Sequence, residues 1–298
     1  MKTDLSPPPS SLFHYFSMVK FAHTIFAMPF ALIGYFLGVV YAGAGFSWQT
    51  LILVLLCMVF ARNAAMGFNR YADRKIDARN PRTGSREIPS GVIRPCAALI
   101  FVVVNVVAFI ITCRFLNPLV FYLSPVALLV VLGYSLTKKF TSLCHFVLGI
   151  GLSLAPIGAY LAVTGSFAWL PLMFSFVVLL WSGGFDIIYA LQDEDFDIRE
   201  RLHSIPSWLG IRRALSVSAA VHVVAGILIV VIRIVWKFGD WYTTGAAIFL
   251  FLLLYQHLIV KPDNLSRVNA AFFTSNGIAS VVFAIFTILD LFFWFRIF

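Results

Sequence analysis

Charge is scarce in this chain: 12% of its 298 residues are charged while 61% are hydrophobic. That leaves too little polar surface to cover an ordinary soluble domain, and the mean hydropathy of +0.93 agrees. Cysteine is scarce too. The four present, Cys57, Cys96, Cys113 and Cys144, form no CxxC pair and have no histidine at metal-ligand spacing. This excludes a disulfide framework and a thiolate metal cluster and makes them packing residues. Alternating segments of about ten residues, the mark of a transmembrane β-barrel, are missing as well. What remains is a bilayer protein built from helices, because a helix satisfies its own backbone in lipid. The fold class is therefore all-α.

A helix needs about 20 mostly apolar residues to span the hydrocarbon core. Nine such stretches run at roughly 24–45, 48–68, 96–114, 118–136, 142–164, 168–190, 213–235, 241–260 and 271–295. Residues 1–20, with Asp4 and the Pro7–Pro9 run, read as an uncleaved N-terminal cytoplasmic tail, and the whole chain, 1–298, as one membrane domain. If the spans alternate from a cytoplasmic N-terminus, seventeen cations fall inside and four outside: Arg114, Arg233, Lys237 and Arg296. The positive-inside rule then fixes the orientation. Cations facing an anionic inner leaflet also account for the net charge of +9 without a nucleic-acid partner.

Of thirteen acids, nine fall in two windows: Asp73, Asp77 and Glu87, then Asp186, Asp193, Glu194, Asp195, Asp197 and Glu200. Both windows follow even-numbered spans and so lie at the same membrane face, where they can meet. Residues four apart on a helix share a face, which aligns Asn69, Asp73 and Asp77, and likewise Tyr189, Asp193 and Asp197, with Asp195 turned away. Like charges at that spacing repel and call for a cation. Mg2+ suits them, since it takes hard oxygens and binds through one or two carboxylates plus substrate phosphates. A single acidic cluster reads equally well as a solvated helix end. Two matching clusters at equal depth in so acid-poor a chain point to a functional site.

These windows resemble the two motifs of the UbiA prenyltransferase superfamily. Asn69 to Asp77 is similar to its NxxxDxxxD motif and Tyr189 to Asp197 to its YxxxDxxxD motif. Pro81, Arg82, Thr83, Arg86, Pro89, Ser90 and Gly91 resemble its basic loop, and Tyr134 to Thr141 its short loop after the fourth span. The resemblance covers essentially the whole chain, span count included. Two positions depart from the pattern. Arg70 follows Asn69 where bacterial 4-hydroxybenzoate enzymes often have Asp, which leaves the acceptor class open. His203 stands where many members have Lys.

The resemblance implies nine helices around a central cavity and Mg2+-dependent transfer of a polyprenyl group from an allylic diphosphate. The acceptor it implies is 4-hydroxybenzoate or a related hydroxy-aromatic acid, in ubiquinone or menaquinone synthesis, at the inner membrane with the active site facing the cytoplasm. The same resemblance makes Asp73, Asp77, Asp193, Asp197 and Asn69 metal ligands. Arg74, Arg82, Arg86, Lys138 and Lys139 become diphosphate clamps, each with a second reading as a topology determinant; Lys138 and Lys139 rank above the rest as the only charges of a very short loop, with the Tyr134 hydroxyl one turn earlier. Arg62, a charge within a span, reads as the seat of an acceptor carboxylate, or else as a side chain that snorkels or pairs with Asp186. Asp186, one turn before Tyr189, lines the same pocket. Gly149, Gly151, Ser153, Ala155 and Gly158 are spaced for close helix approach.

Other classes stay open. A transporter would also use intramembrane Arg62 and Asp186, but its acids would gather near the midplane. A CDP-alcohol phosphotransferase needs an Asp-Gly pair that the sequence lacks. Haem O and chlorophyll synthases are the alternatives within the family.

Overall fold

A computed structural model describes residues 12–19 and 26–293. Most of the expected 1–20 tail, the start of the first span at 24–25, the end of the last at 294–295, and Arg296 lie outside the described residues. The helices are α1 (Leu12–Met18), α2 (Met28–Phe36), α3 (Trp48–Asp77), α4 (Pro95–Arg114), α5 (Pro118–Thr137), α6 (Cys144–Thr164), α7 (Trp169–Ala190), α8 (Glu194–Arg199), α9 (Ile205–Leu209), α10 (Ile211–Val235), α11 (Asp240–Ile259) and α12 (Asn276–Phe293). A π turn, Leu37–Tyr41, prolongs α2, and another, Ala270–Ser275, opens α12. Among the described residues eight helical segments are long and apolar enough to cross a membrane, and Met28–Tyr41 is a shorter apolar ninth. The chain is thus an integral multi-pass membrane protein, and the nine sequence stretches fall on these nine segments.

Local signals set the boundaries. Ser47 Oγ accepts the Thr50 N–H at 3.2 Å and Asn117 Oδ1 that of Val120 at 3.0 Å, so α3 and α5 start on capped ends. Proline opens α4 and α5, where its missing N–H costs nothing. Gly165, at φ +67°, closes α6. α3 outruns its apolar stretch by more than two turns and carries Asn69, Asp73 and Asp77 beyond the hydrophobic part as one continuous helix.

The two halves are filled differently. α2, α7, α11 and α12 enclose an aromatic core in which Phe30 and Trp181 lie 5.2 Å apart, Trp181 and Phe249 5.6 Å, and Phe249 and Phe283 5.2 Å. α3 to α6 instead surround an apolar cavity of about 400 Å3. Two backbone approaches lock the frame. A Cβ on Gly34 would lie 2.0 Å from Pro156 O, joining α2 to α6, and one on Gly149 would lie 2.5 Å from Leu179 O, joining α6 to α7. Gly158, from the same small-residue series, meets nothing within 4 Å, because it faces the cavity.

Candidate active site

At the end of the bundle where α3 and α7 finish, a polar pocket of about 830 Å3 is walled by Arg62, Asn69, Asp73, Asp77, Arg82, Arg86, Tyr134, Lys138, Lys139, Asp186, Tyr189 and Asp193. The two acidic windows therefore do meet. Their junction is a direct bond between segments more than a hundred residues apart. Asn80 Nδ2 and Arg82 Nε donate to Asp193 Oδ1 at 3.1 and 2.9 Å, and Arg82 Nη2 donates to Oδ2. Arg82 Nη1 also donates to the Tyr189 hydroxyl at 2.9 Å. The loop after α3 is thereby folded back across the pocket mouth, and Asn80 Oδ1, accepting from Arg82 N at 2.9 Å, fixes its turn.

The other three motif aspartates follow one pattern, each beside its own cation. Arg86 Nη1 is 2.7 Å from Asp77 Oδ1, Lys138 Nζ 2.7 Å from Asp197 Oδ1, and Lys139 Nζ 3.9 Å from Asp73 Oδ1. Asn69 Nδ2 donates to Asp73 Oδ2 at 3.0 Å, so Asn69 orients that carboxylate. Partial burial alone would lower the pKa values of Arg82 and Lys138. The carboxylates of Asp193 and Asp197 outweigh it and hold both cations above their ordinary values.

Two expectations need correction. Tyr189, Asp193 and Asp197 do not share the face of one regular helix, because α7 ends at Ala190, a 3-10 turn spans Leu191–Asp193, and α8 starts afresh at Glu194. The break separates the two carboxylates. Asp193 faces the pocket, while Asp197 is fully buried behind it, accepting from Ser204 Oγ at 2.9 Å. Arg74 is not in the pocket. One residue past Asp73 turns it about 100° around α3, and its guanidinium stacks on Tyr71, 4.3 Å from the ring centre. Asp186 pairs with His145 at 2.7 Å. Asp195 is exposed, as the spacing implied.

Sequence reading passed over Asn80, His145, Phe272 and Phe273. The last two sit on the π turn before α12, and with Phe26, Phe185 and Tyr189 they give the pocket an aromatic wall. The Tyr189 and Phe272 rings stack at 4.2 Å, and Phe272 meets Phe273 at 4.6 Å. A π turn leaves no periodicity to read. Asn80 and His145 carried a weak signal, a polar residue at the edge of a motif and an isolated histidine in an apolar helix.

No group of three or more His, Cys, Asp or Glu poised for a metal occurs among the described residues. A divalent cation has oxygen atoms available to it all the same. Asp77 Oδ2 is buried without a hydrogen-bond partner, and Asp73 and Asp193 line the same space. Arg62, Met66, Tyr134, Leu148 and Leu152 line both this pocket and the apolar cavity between α3 and α6, so the two spaces adjoin.

Fold and site together describe a polytopic helical membrane protein with an acid–base pocket at one membrane face, leading into an apolar chamber. The comparisons say which one. The UbiA prenyltransferase family profile matches residues 27–278, and the chain belongs to that family. It is accordingly a membrane prenyltransferase. It is 30% identical over 239 residues to a 4-hydroxybenzoate octaprenyltransferase of Aliivibrio salmonicida (strain LFI1238), covering 79% of this chain and 82% of the relative. The same enzyme of Aliivibrio fischeri (strain MJ11) is 29% identical over equal coverage. The apo structure of a UbiA homolog from Aeropyrum pernix K1 superposes with a TM-score of 0.81 at 30% identity, over 90% of this chain and 98% of that one. A UbiA homolog from Archaeoglobus fulgidus bound to GPP and Mg2+ shares the fold at a TM-score of 0.72 and 17% identity, over 93% and 99%.

Proposed function

We propose that the chain transfers a polyprenyl group from an allylic diphosphate to 4-hydroxybenzoate or a related hydroxy-aromatic acid, with Mg2+, in quinone synthesis. The observation that carries this reading is the interleaving of Asp73, Asp77 and Asp193 with Arg82, Arg86, Lys138 and Lys139 in one pocket. A diphosphate with its metal is a ligand that both sets can take at once. Arg82, Arg86, Lys138 and Lys139 could turn from the carboxylates to its oxygens, which would leave Asp73, Asp77 and Asp193 to hold the metal.

The donor set fits Mg2+: hard oxygens, with Asp77 Oδ2 already lacking a partner. Asp73, Asp77 and Asp193 would hold it, with Asn69 orienting Asp73. Asp197 joins only if Lys138 lets go. Bound there, the ion supplies Lewis-acid stabilisation of the departing diphosphate. Arg82, Arg86, Lys138 and Lys139 stabilise the same growing charge by preorganised donors. Tyr189, Phe272 and Phe273 present ring faces to an allylic cation. The apolar chamber takes the prenyl tail, and Arg62, where chamber meets pocket, receives the acceptor carboxylate.

The cation bias supports a cytoplasmic pocket and an inner-membrane location. The test of function is the mass of the lipid formed by purified protein given Mg2+, a prenyl diphosphate and candidate hydroxy-aromatic acids. The expected product is the acid plus the prenyl group less one hydrogen. Turnover with haem or a chlorophyllide, and with none of the acids, would overturn the acceptor assignment.

A further inference from the structure

Asp186 differs from the aspartates of the two motifs in what holds it. Asp77, Asp193 and Asp197 each have an arginine or lysine within 2.9 Å. Asp186 has His145, whose Nδ1 lies 2.7 Å from Oδ2. The state of that imidazole is set by its other nitrogen. Nε2 accepts the N–H of Ile205, at the start of α9, at 3.2 Å. A nitrogen that accepts carries no proton, so the single ring proton sits on Nδ1 and is donated to Asp186. The histidine is 2% exposed and locked between α7 and α9. It fixes the orientation of the carboxylate.

The carboxylate reaches the pocket: its side chain is 24% exposed there, and Arg62, Tyr134 and Phe185 line the same region. Asp73 lines that pocket as well, so Arg62, Asp73, Tyr134 and Asp186 surround one volume. A hydroxy-aromatic acid with its carboxylate on Arg62 presents its opposite end to the rest of that volume.

On the basis of the function proposed above, we infer that Asp186, positioned by His145, is the proton acceptor for the acceptor's phenolic hydroxyl, which makes an ionisable ring hydroxyl a requirement of the substrate. As the ring carbon beside the hydroxyl bonds to the prenyl C1 and the C1–O bond to diphosphate breaks with its electron pair, the phenolic proton passes to Asp186. The resulting dienone loses its ring proton to the diphosphate, and Asp186 returns its proton to the oxygen. The net change is one ring hydrogen replaced by prenyl and one proton carried off by diphosphate. Asp186 is the catalytic residue and His145 the positioning residue.

The test uses the full chain in detergent with Mg2+, geranyl diphosphate, and 4-hydroxybenzoate beside ring-fluorinated analogues of increasing phenol acidity. D186N is expected to lower kcat on 4-hydroxybenzoate by about 100-fold or more, the ordinary worth of a general base. The deficit relative to the parent protein should shrink at least about tenfold on the most acidic phenol, which needs the base least. The KM for geranyl diphosphate should stay within about threefold, since uniform binding is untouched. H145Q, whose amide can both donate to Asp186 and accept from Ile205, should keep most of the rate. H145L should lose roughly tenfold or more and show the same dependence on phenol acidity. If D186N does not fold, the H145Q and H145L pair decides by that dependence. A deficit equal for all phenols, or a D186N rate near the parent's, overturns the inference alone. A parent protein that prenylates none of these acids overturns it together with the proposed acceptor class.

Discussion

Asp193 takes donors from Asn80 and from both faces of the Arg82 fork, while Arg62 stands deeper, where pocket meets chamber. The two arginines should therefore fail differently. Arg82→Lys keeps the charge but loses the fork, and it should raise the KM for prenyl diphosphate about tenfold with little change for the acceptor. Arg62→Lys should reverse that pattern, and steady-state kinetics with each substrate varied separates them. Lys138 has a structural duty besides. Asp197 is fully buried against it, so Lys138→Met strands a buried charge and should cost about 3 kcal/mol, read as a lower unfolding temperature in detergent. Lys138→Met with Asp197→Leu should recover most of the loss, because an apolar pair of similar volume replaces the ion pair. Which of the charged residues named from the sequence touch substrate was not legible there. Arg74 and Arg82 are both basic and both near a motif. Only the turn of α3 and the fold-back of the following loop send one to Tyr71 and the other to Asp193.

Between elements, α2 meets α6 through backbone. Gly34→Ala would put a methyl 2.0 Å from Pro156 O, with no flexible side chain to yield, and should destabilise the protein by about 1–3 kcal/mol. Gly158→Ala, open on its Cβ side, should be neutral or stabilise by up to about 1 kcal/mol through helix propensity. Thermal unfolding of the two variants side by side measures the difference. Both glycines sit in similar small-residue company, so spacing could not tell contact from cavity. Helix ends were legible where a cap or proline marks them, at Ser47, Pro95, Asn117 and Pro118. The break at Leu191–Asp193 has no such mark, and it is the break that sends Asp197 behind the pocket wall.

For the molecule as a whole, the consequence of one shared pocket is non-additivity. Asp73→Asn and Asp193→Asn should each reduce kcat by about 100-fold or more, and the double variant should be hardly worse than the poorer single one, since groups acting as a unit are lost together. Fully additive losses in single-turnover assays would separate the two motifs. A thiol introduced at Arg79, on the same face, should react with an impermeant reagent only after cells are opened; reaction in intact cells would invert the proposed orientation. Sequence by itself determined the bilayer setting, the all-helical class, the nine apolar segments and the two acidic windows, because hydrophobic length, charge bias and four-residue spacing are local properties that survive without a partner. Tertiary structure decided that Asp193 belongs to Arg82 and Asn80, that Asp197 is held behind the wall by Lys138 and Ser204, and that Asp186 is held by His145. Each of these joins segments distant in the chain or follows a helix break, and the packing of α3, α6 and α7 brings them within hydrogen-bond range.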